Sequence, residues 1–509
     1  MKNELKMGSI LSYAQMALGI VIGLIYTPLM IRLLGQSEYG LYQTVSSTIS
    51  ILGMLNLGFN SSYVRYYAKY KVNNDKESIY KLNGLFIIIF SVFAIIGLIC
   101  GLVVSGNLTL VFDEGLTKNE YDIAKVLMIL ATFNLSFSFP FSVFTSIISA
   151  NERFIFLKVV NMIQSVLTPA ITLPLLLCGF RSIAIVSVSL ALSILHGIIN
   201  IYYVLFKLRN KFIFHDFEKG LLKSMFTYTG FIAINLIIDQ INWNIDKLLL
   251  ARFKGTSMVA VYSVGYSLYS YYMTFSTAVS GVFTPRIHKI VNETKNNFEL
   301  QRKQLTDLFT RVGRIQFLIL GLIGSGVVFF GKSFILNIWA GEKYEDSYYV
   351  ALMLILPSSI ALIQNLGIEI QRAQNKHQFR SVVYFFMALI NLGLSIVLCQ
   401  KYGAIGSAIG TAISLVVANG IIMNIYYHKK INIDIISFWK SILMQARGLI
   451  IPIIVGILIV KFVNLNSIPM LLVSILVYSA IYCASEWFIG MNEYEKELLK
   501  KPILKVLKR

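Results

Sequence analysis

Between positions 224 and 253 an Ile- and Leu-rich run carries Asn235, Asp239, Asn242 and Asp246, at spacings of 4, 3 and 4. In a helix this spacing sets all four side chains on one face. A carboxylate near the middle of a bilayer costs at least about 2.5–3.5 kcal/mol on insertion scales, so such a face turns toward protein or water. Two readings follow. Either the face lines a cavity in which Asp239 or Asp246 binds H+ or Na+ and couples it to transport, or it makes interhelical hydrogen bonds, with Asp246 near an interface and paired to Lys247. The next run holds Tyr262, Tyr266 and Tyr269 at i, i+4 and i+7, a stripe suited to ligand contact or to helix packing. Glu369 is a third acid available for ion coupling, although Arg372, three residues on, supplies an ordinary local ion pair.

Other chemistries find no support. The five histidines, His196, His215, His288, His377 and His428, are scattered and form no ligand cluster. Cys100, Cys178, Cys399 and Cys483 lie in or beside apolar stretches without a C-x-x-C pair, which argues against a disulfide framework or a zinc site. A Walker-type phosphate loop, an H-E-x-x-H motif and a nucleophile elbow are all missing from the sequence. The expectation is a protein that is not an enzyme and needs no cofactor beyond a coupling ion.

The elements that must position these residues are apolar helices. Apolar residues make up 56% of the 509-residue chain and charged residues 14%, with a mean hydropathy of +0.70. A water-facing surface needs more charge than this. Continuous apolar runs fall at 9–34, 40–64, 82–106, 124–150, 154–178, 182–206, 224–253, 257–284, 312–336, 348–371, 378–400, 403–427, 442–463 and 467–488. Each exceeds the roughly 20 residues that cross about 30 Å of hydrocarbon as a helix. The expected fold is therefore an all-α integral membrane protein of about fourteen transmembrane helices, without a cleavable signal at its N-terminus. If the N-terminus is cytoplasmic, 34 of the 45 Lys and Arg residues fall on the cytoplasmic side and 11 outside, with the C-terminus cytoplasmic too. The positive-inside rule thus accounts for the +20 formal charge without invoking nucleic acid.

The chain also resembles itself at an offset near 220 residues. Gly35-Gln36-Ser37 and Tyr42 match Gly255-Thr256-Ser257 and Tyr262. At an offset of 224, Asn151 matches Asn375, Gly179 matches Gly403, and Asn200-Ile201-Tyr202-Tyr203 matches Asn424-Ile425-Tyr426-Tyr427. Six helices separate the copies, an even number, so both share one orientation, as in transporters built from parallel repeats around a central cavity. The expected division is a six-helix lobe over 1–212, a second over 213–432, and two additional helices with a basic tail over 433–509.

Several stretches resemble polysaccharide and O-antigen flippases, the lipid-linked-oligosaccharide branch of the multidrug/oligosaccharidyl-lipid/polysaccharide exporter superfamily. These are Pro28 to Gly40, Leu57-Gly58-Phe59-Asn60 with Arg65-Tyr66-Tyr67-Ala68, and Asn244-Ile245-Asp246-Lys247-Leu248-Leu249-Leu250 leading to Val261-Tyr262-Ser263-Val264. Gln374-Asn375-Lys376, Asn391-Leu392-Gly393-Leu394 and Tyr402-Gly403-Ala404-Ile405-Gly406 continue the likeness over nearly the whole chain. The resemblance implies two six-helix lobes around a central cavity, in a bacterial cytoplasmic membrane. It implies alternating-access transfer of a polyprenyl-diphosphate-linked glycan to the outer leaflet, with membrane lipids and polysaccharide assembly enzymes as partners.

On that reading Arg32 and Arg65 are candidates to match the diphosphate, since Arg grips phosphate bidentately; the alternative is a snorkelling interface anchor. The tyrosine stripe then offers ring faces to sugar C–H edges. Lys158, Arg311 and Arg314 read mainly as topology signals. Many relatives carry twelve helices, and the extra pair here is similar to the layout of lipid II flippases. A lipid II flippase and a cation-coupled drug exporter are therefore the alternatives. A glycan polymerase or ligase would need a larger outside loop than any here.

Overall fold

The computed structural model describes residues 2–56, 58–112, 116–218, 220–498 and 500. Among them every regular element is helical. The first helices are α1 (Lys2–Leu34), α2 (Gln36–Leu52), α3 (Phe59–Val72), α4 (Lys76–Gly106), α5 (Lys118–Ala150) and α6 (Phe154–Leu177). Then come α7 (Arg181–Tyr202), α8 (Leu221–Lys254), α9 (Thr256–Gly281), α10 (Thr284–Glu293), α11 (Phe298–Ser333) and α12 (Glu345–Ile363). The chain continues through α13 (Leu366–Ala373), α14 (Gln378–Leu415), α15 (Met423–Tyr426), α16 (Ile435–Gln445), α17 (Ile450–Phe462) and α18 (Ile468–Ser485).

Ten helical stretches among the described residues are long and apolar enough to cross a membrane, and the chain is a multi-pass membrane protein. Four of the fourteen expected runs are not counted separately. The 40–64 run is broken: α2 gives way to a 3-10 turn at Gly53–Asn56, and Gly58 adopts φ 74°, before α3 begins. Gly58 supplies the left-handed conformation without the Cβ clash another residue would suffer. The two runs at 378–427 form one helical stretch, Gln378–Ile431, interrupted at Gly403 with φ 58° and ψ −134°. The runs at 224–253 and 257–284 correspond to α8 and α9, which are long but fall outside those ten stretches.

Two compact units emerge, Met1–Ser263 with Cys399–Gly403 and Val264–Leu398 with Ala404–Arg509. In the first unit α4 lies close along α5 because Gly101 faces the Thr132 side chain, and α7 approaches α5 where Gly197 faces the ring of Phe141. Lipid is as apolar as a Leu side chain, so contacts of this kind and interhelical hydrogen bonds hold such helices together. Phe59, Phe86, Phe90, Phe93 and Phe139 interlock at the centre, edge to face except for the stacked Phe86 and Phe90, with Phe59 and Phe93 5.4 Å apart, each pair worth about 0.5–1.5 kcal/mol beyond burial.

Helix α3 anchors three separate segments with tyrosines at i, i+4 and i+7. The Tyr63 hydroxyl donates to Asn83 Oδ1 at 2.6 Å, that of Tyr67 to Asn151 Oδ1 at 2.8 Å, and that of Tyr70 to Glu218 Oε2 at 2.6 Å. Burial and the Glu218 carboxylate push the Tyr70 phenol up. On the outside of α4, Ile88, Val92, Ile95 and Ile99 form an exposed stripe, an apolar face that suits lipid tails.

In the second unit α11 is the central strut. Phe309 packs 4.7 Å from the ring of Phe438 on α16, and Gly313 admits the Phe438 edge. Gln316 donates to the Ser276 carbonyl at 3.1 Å, and the Tyr482 hydroxyl on α18 donates to the Leu318 carbonyl at 2.8 Å.

Several positions of the two segments share backbone geometry, although Asn151, with φ −85°, does not match Asn375, with φ 56°. Gly35 has φ 77° and ψ 170°, and Gly255 has φ 82° and ψ 175°. Tyr203–Lys207 and Tyr427–Ile431, 224 residues apart in sequence, are both π-helical. The left-handed residues closing the helices correspond at an offset of 223, Glu152 with Asn375 and Arg209 with Asn432. Two segments with little sequence identity therefore turn in the same way at the same places.

Candidate functional site

The acidic face of α8 is divided. Asp246 is fully buried, and its Oδ2 accepts the Tyr262 hydroxyl at 2.8 Å, Tyr262 being equally buried in the first two turns of α9. Lys247, 8% exposed, points about 100° further round the helix and donates to Gln43 Oε1 on α2 at 3.4 Å. Gln43 Nε2 in turn donates to the Tyr39 hydroxyl at 3.0 Å. A polar cluster thus joins α2, α8 and the start of α9 inside the first unit.

Local sequence allows this approach. Gly40 lets α2 lie against the Thr256 carbonyl, where any Cβ would overlap. Ser37 Oγ and Thr256 Oγ1, matching positions of the repeat's two turns to within one residue, are hydrogen-bonded at 2.7 Å. Ser37 also donates to Glu120, which completes a capping box with Thr117 at the start of α5. Beside it Glu38, 7% exposed, accepts from the Ser182 N–H at 2.9 Å, the Ser182 hydroxyl at 2.6 Å and Arg181 Nη1 at 3.2 Å.

Seven residues before Asp246, about 10 Å along the axis, Asp239 is exposed and Asn242 half-buried. The Asn235 side chain lies outside the described residues. Asp246 is thus enclosed by protein while Asp239 stands open to whatever surrounds α8 at that level. Arg32, in the last turn of α1, and Arg65, within α3, are both exposed, on helices separate from α8. The tyrosine stripe is split between units: Tyr262 belongs to the first, whereas Tyr266 and Tyr269 lie in the second with ring centroids 5.8 Å apart, Tyr269 buried. Glu369 on α13 accepts from Arg372 Nη1 at 2.6 Å, the local pair its spacing suggests.

Arg314, read from sequence as a topology signal, is instead 6% exposed and pairs with Glu495. The reason is tertiary: the segment after α18 returns to α11 with a carboxylate that caps the guanidinium. Glu486, fully buried beside it, was also missed. The signal was present, since Glu486 is the lone acid in the apolar run 467–488. Among the described residues no three His, Cys, Asp or Glu side chains gather as a metal site.

The family model described as polysaccharide biosynthesis protein matches residues 5–291, more than half of the chain. This chain belongs to that family. Its structure is similar to a lipid II flippase MurJ in an inward closed conformation, with a TM-score of 0.70 and 16% identity over 97% of this chain and 99% of that one. It is also similar to an inward-facing multidrug resistance MATE family transporter of the MOP superfamily, with a TM-score of 0.60 and 13% identity over 85% and 99% of the two chains. The Vibrio cholerae MATE transporter VcmN in its bent form gives 0.54 and 12% over 84% and 98%. No curated protein matches the sequence. At these identities the structural likeness establishes the fold, that of flippases and multidrug transporters.

Proposed function

We propose that the protein moves a polyprenyl-diphosphate-linked oligosaccharide from the cytoplasmic to the outer leaflet of a bacterial cytoplasmic membrane, for cell-surface polysaccharide assembly. The observation that carries this reading is that a member of the polysaccharide biosynthesis family has a flippase's fold over 97% of its length. Two six-helix lobes, 1–212 and 213–432, alternate access to a central cavity, with both termini cytoplasmic. The chain performs no bond-breaking chemistry of its own and delivers its cargo to assembly enzymes outside.

Within this mechanism each residue has a distinct task. Asp239, exposed on α8, is placed to exchange H+ or Na+ with water in the cavity; Asp246, sealed against Tyr262, is suited to hold α8 on α9 and to sense any charge change two turns away. Arg32 and Arg65 match the diphosphate at opposite ends of its path, since guanidinium pairs bidentately with phosphate. Tyr266, half-buried, is the better suited of the stripe to a sugar ring, while the buried Tyr269 suits helix packing. Glu369, already neutralised by Arg372, is the least suited of the acids to ion coupling.

A second reading, a lipid II flippase, is favoured by the likeness spanning 97% of this chain, against 85% for a multidrug transporter. Proteoliposomes loaded with fluorescent polyprenyl-diphosphate glycans separate the two: transfer of a polysaccharide repeat-unit carrier, with lipid II left in place, supports the proposal. Transfer of lipid II alone establishes the second reading. Export of organic cations with neither lipid moved overturns both.

A further inference from the structure

A buried carboxyl in the second unit has no role in this scheme. Glu486 opens the π-helical turn Glu486–Gly490 at the end of α18, is fully buried, and neither carboxyl oxygen has a hydrogen-bond donor among the described residues. Gly448 and Gly490 pack directly against the carboxyl, and a Cβ at either would collide with it. That close fit leaves no space for a hydrated metal ion.

Among the described residues the cation acting on Glu486 is Arg314, and it is fully engaged. Arg314 Nε and Nη2 donate to Glu495 Oε1 and Oε2 at 2.5 and 2.8 Å. The second Nη2 proton goes to the Gly490 carbonyl at 2.9 Å, and Nη1 donates to the Ser441 carbonyl and hydroxyl at 2.9 and 3.4 Å. All five guanidinium N–H groups are used, and the single positive charge is balanced by Glu495, itself 2% exposed. Among the described residues the titratable groups facing Glu486 are Arg314 from α11, Glu495 from beyond α18, and Tyr482 one turn earlier on its own helix. From α16 and the following 3-10 turn come Gln445, whose buried Oε1 also finds no donor among the described residues, and Gly448. A second carboxylate in this enclosure would be a buried, uncompensated charge.

We infer that Glu486, enclosed with the Arg314–Glu495 pair and Gln445, is a proton-binding site that docks the C-terminal helices α17 and α18 onto α11 and α16. The ligand is a single proton taken from water, which converts the carboxylate to a neutral acid able to donate one hydrogen bond. This site is independent of the transport reading and of α8. Its protonated form allows the enclosure to close; loss of the proton places a second negative charge against Glu495 and loosens the helix pair.

The test uses the full-length protein in detergent. Thermal unfolding from pH 5 to 8 compares the wild type with Glu486→Gln, the neutral isostere. The wild type should melt closest to the variant at pH 5 and fall progressively below it as pH rises, because an unfolded Glu already releases its proton above about 4.3. The sign follows because a folded state that retains a proton which the unfolded chain releases loses stability as pH increases. Infrared difference spectra of the wild type at neutral pH should contain a protonated-carboxyl C=O band that Glu486→Gln removes. If that variant does not assemble, Glu486→Asp assigns the band by displacing it. Glu495→Gln should abolish the band, because Arg314 then becomes the counter-ion of Glu486. Parallel melting curves, or a neutral-pH spectrum without the band, would overturn the inference.

Discussion

Replacing Tyr262 by Phe removes one hydroxyl and leaves the ring in place, so it isolates the bond that ties α9 to α8. In the folded protein this hydroxyl donates to Asp246 Oδ2 at 2.8 Å, and both residues are fully buried. A hydrogen bond to a charged acceptor contributes about 1.5–3 kcal/mol, against about 0.5–1.5 kcal/mol for a neutral pair. Interhelical bonds within membranes average only about 0.6 kcal/mol, because side chains also find partners in the membrane-embedded unfolded state. Here loss of the hydroxyl also leaves the buried Asp246 Oδ2 without that bond, which puts the cost toward the upper part of the range measured in membranes. The expected loss is therefore about 0.6–1.7 kcal/mol. Reversible unfolding in mixed micelles would measure it, and a double-mutant cycle with Asp246→Asn should return most of that value as coupling between the two sites. A loss below about 0.5 kcal/mol, or additive effects in the cycle, would refute the role given to this pair.

Asp239→Asn should slow ion-coupled lipid transfer in proteoliposomes while leaving expression and melting temperature unchanged; equal transfer rates would make Asp239 a structural residue. Cysteine labelling, after replacement of Cys100, Cys178, Cys399 and Cys483, two of them exposed, should find the 113–120 loop outside and the 207–223 loop inside. The reverse pattern would invert the proposed orientation. Asp434 caps α16, accepting from the Ser437 N–H at 3.1 Å and the Ser437 hydroxyl at 2.8 Å, and these bonds hold its carboxyl below the usual range. Asp434→Ala should therefore cost about 0.5–2 kcal/mol at neutral pH. Because the folded value is the lower one, the ionic part of this contribution is complete above the unfolded value of about 3.9 and disappears as pH falls through the folded value. Denaturation curves at neutral and acid pH would show whether the difference closes.

Features that depend on neighbours in sequence could be read directly. Long apolar runs become helices in a bilayer because each backbone group must be satisfied within its own segment, and glycines at Gly35, Gly255 and Gly403 mark the turns because their φ values exclude other residues cheaply. Of the sequence matches at the repeat, Gly35 and Gly255 turn alike, whereas Asn151 has φ −85° and Asn375 φ 56°.

Which acid is open and which is sealed was decided elsewhere. Asp239 and Asp246 are the same residue type on one helix face, yet only the arrival of Tyr262 and α2 distinguishes them. Arg314 looked like one more cytoplasmic basic residue until Glu495, 181 positions later in the chain, reached it. Charge cost in a membrane depends on what surrounds a group in three dimensions, and only the packed helices supply those surroundings.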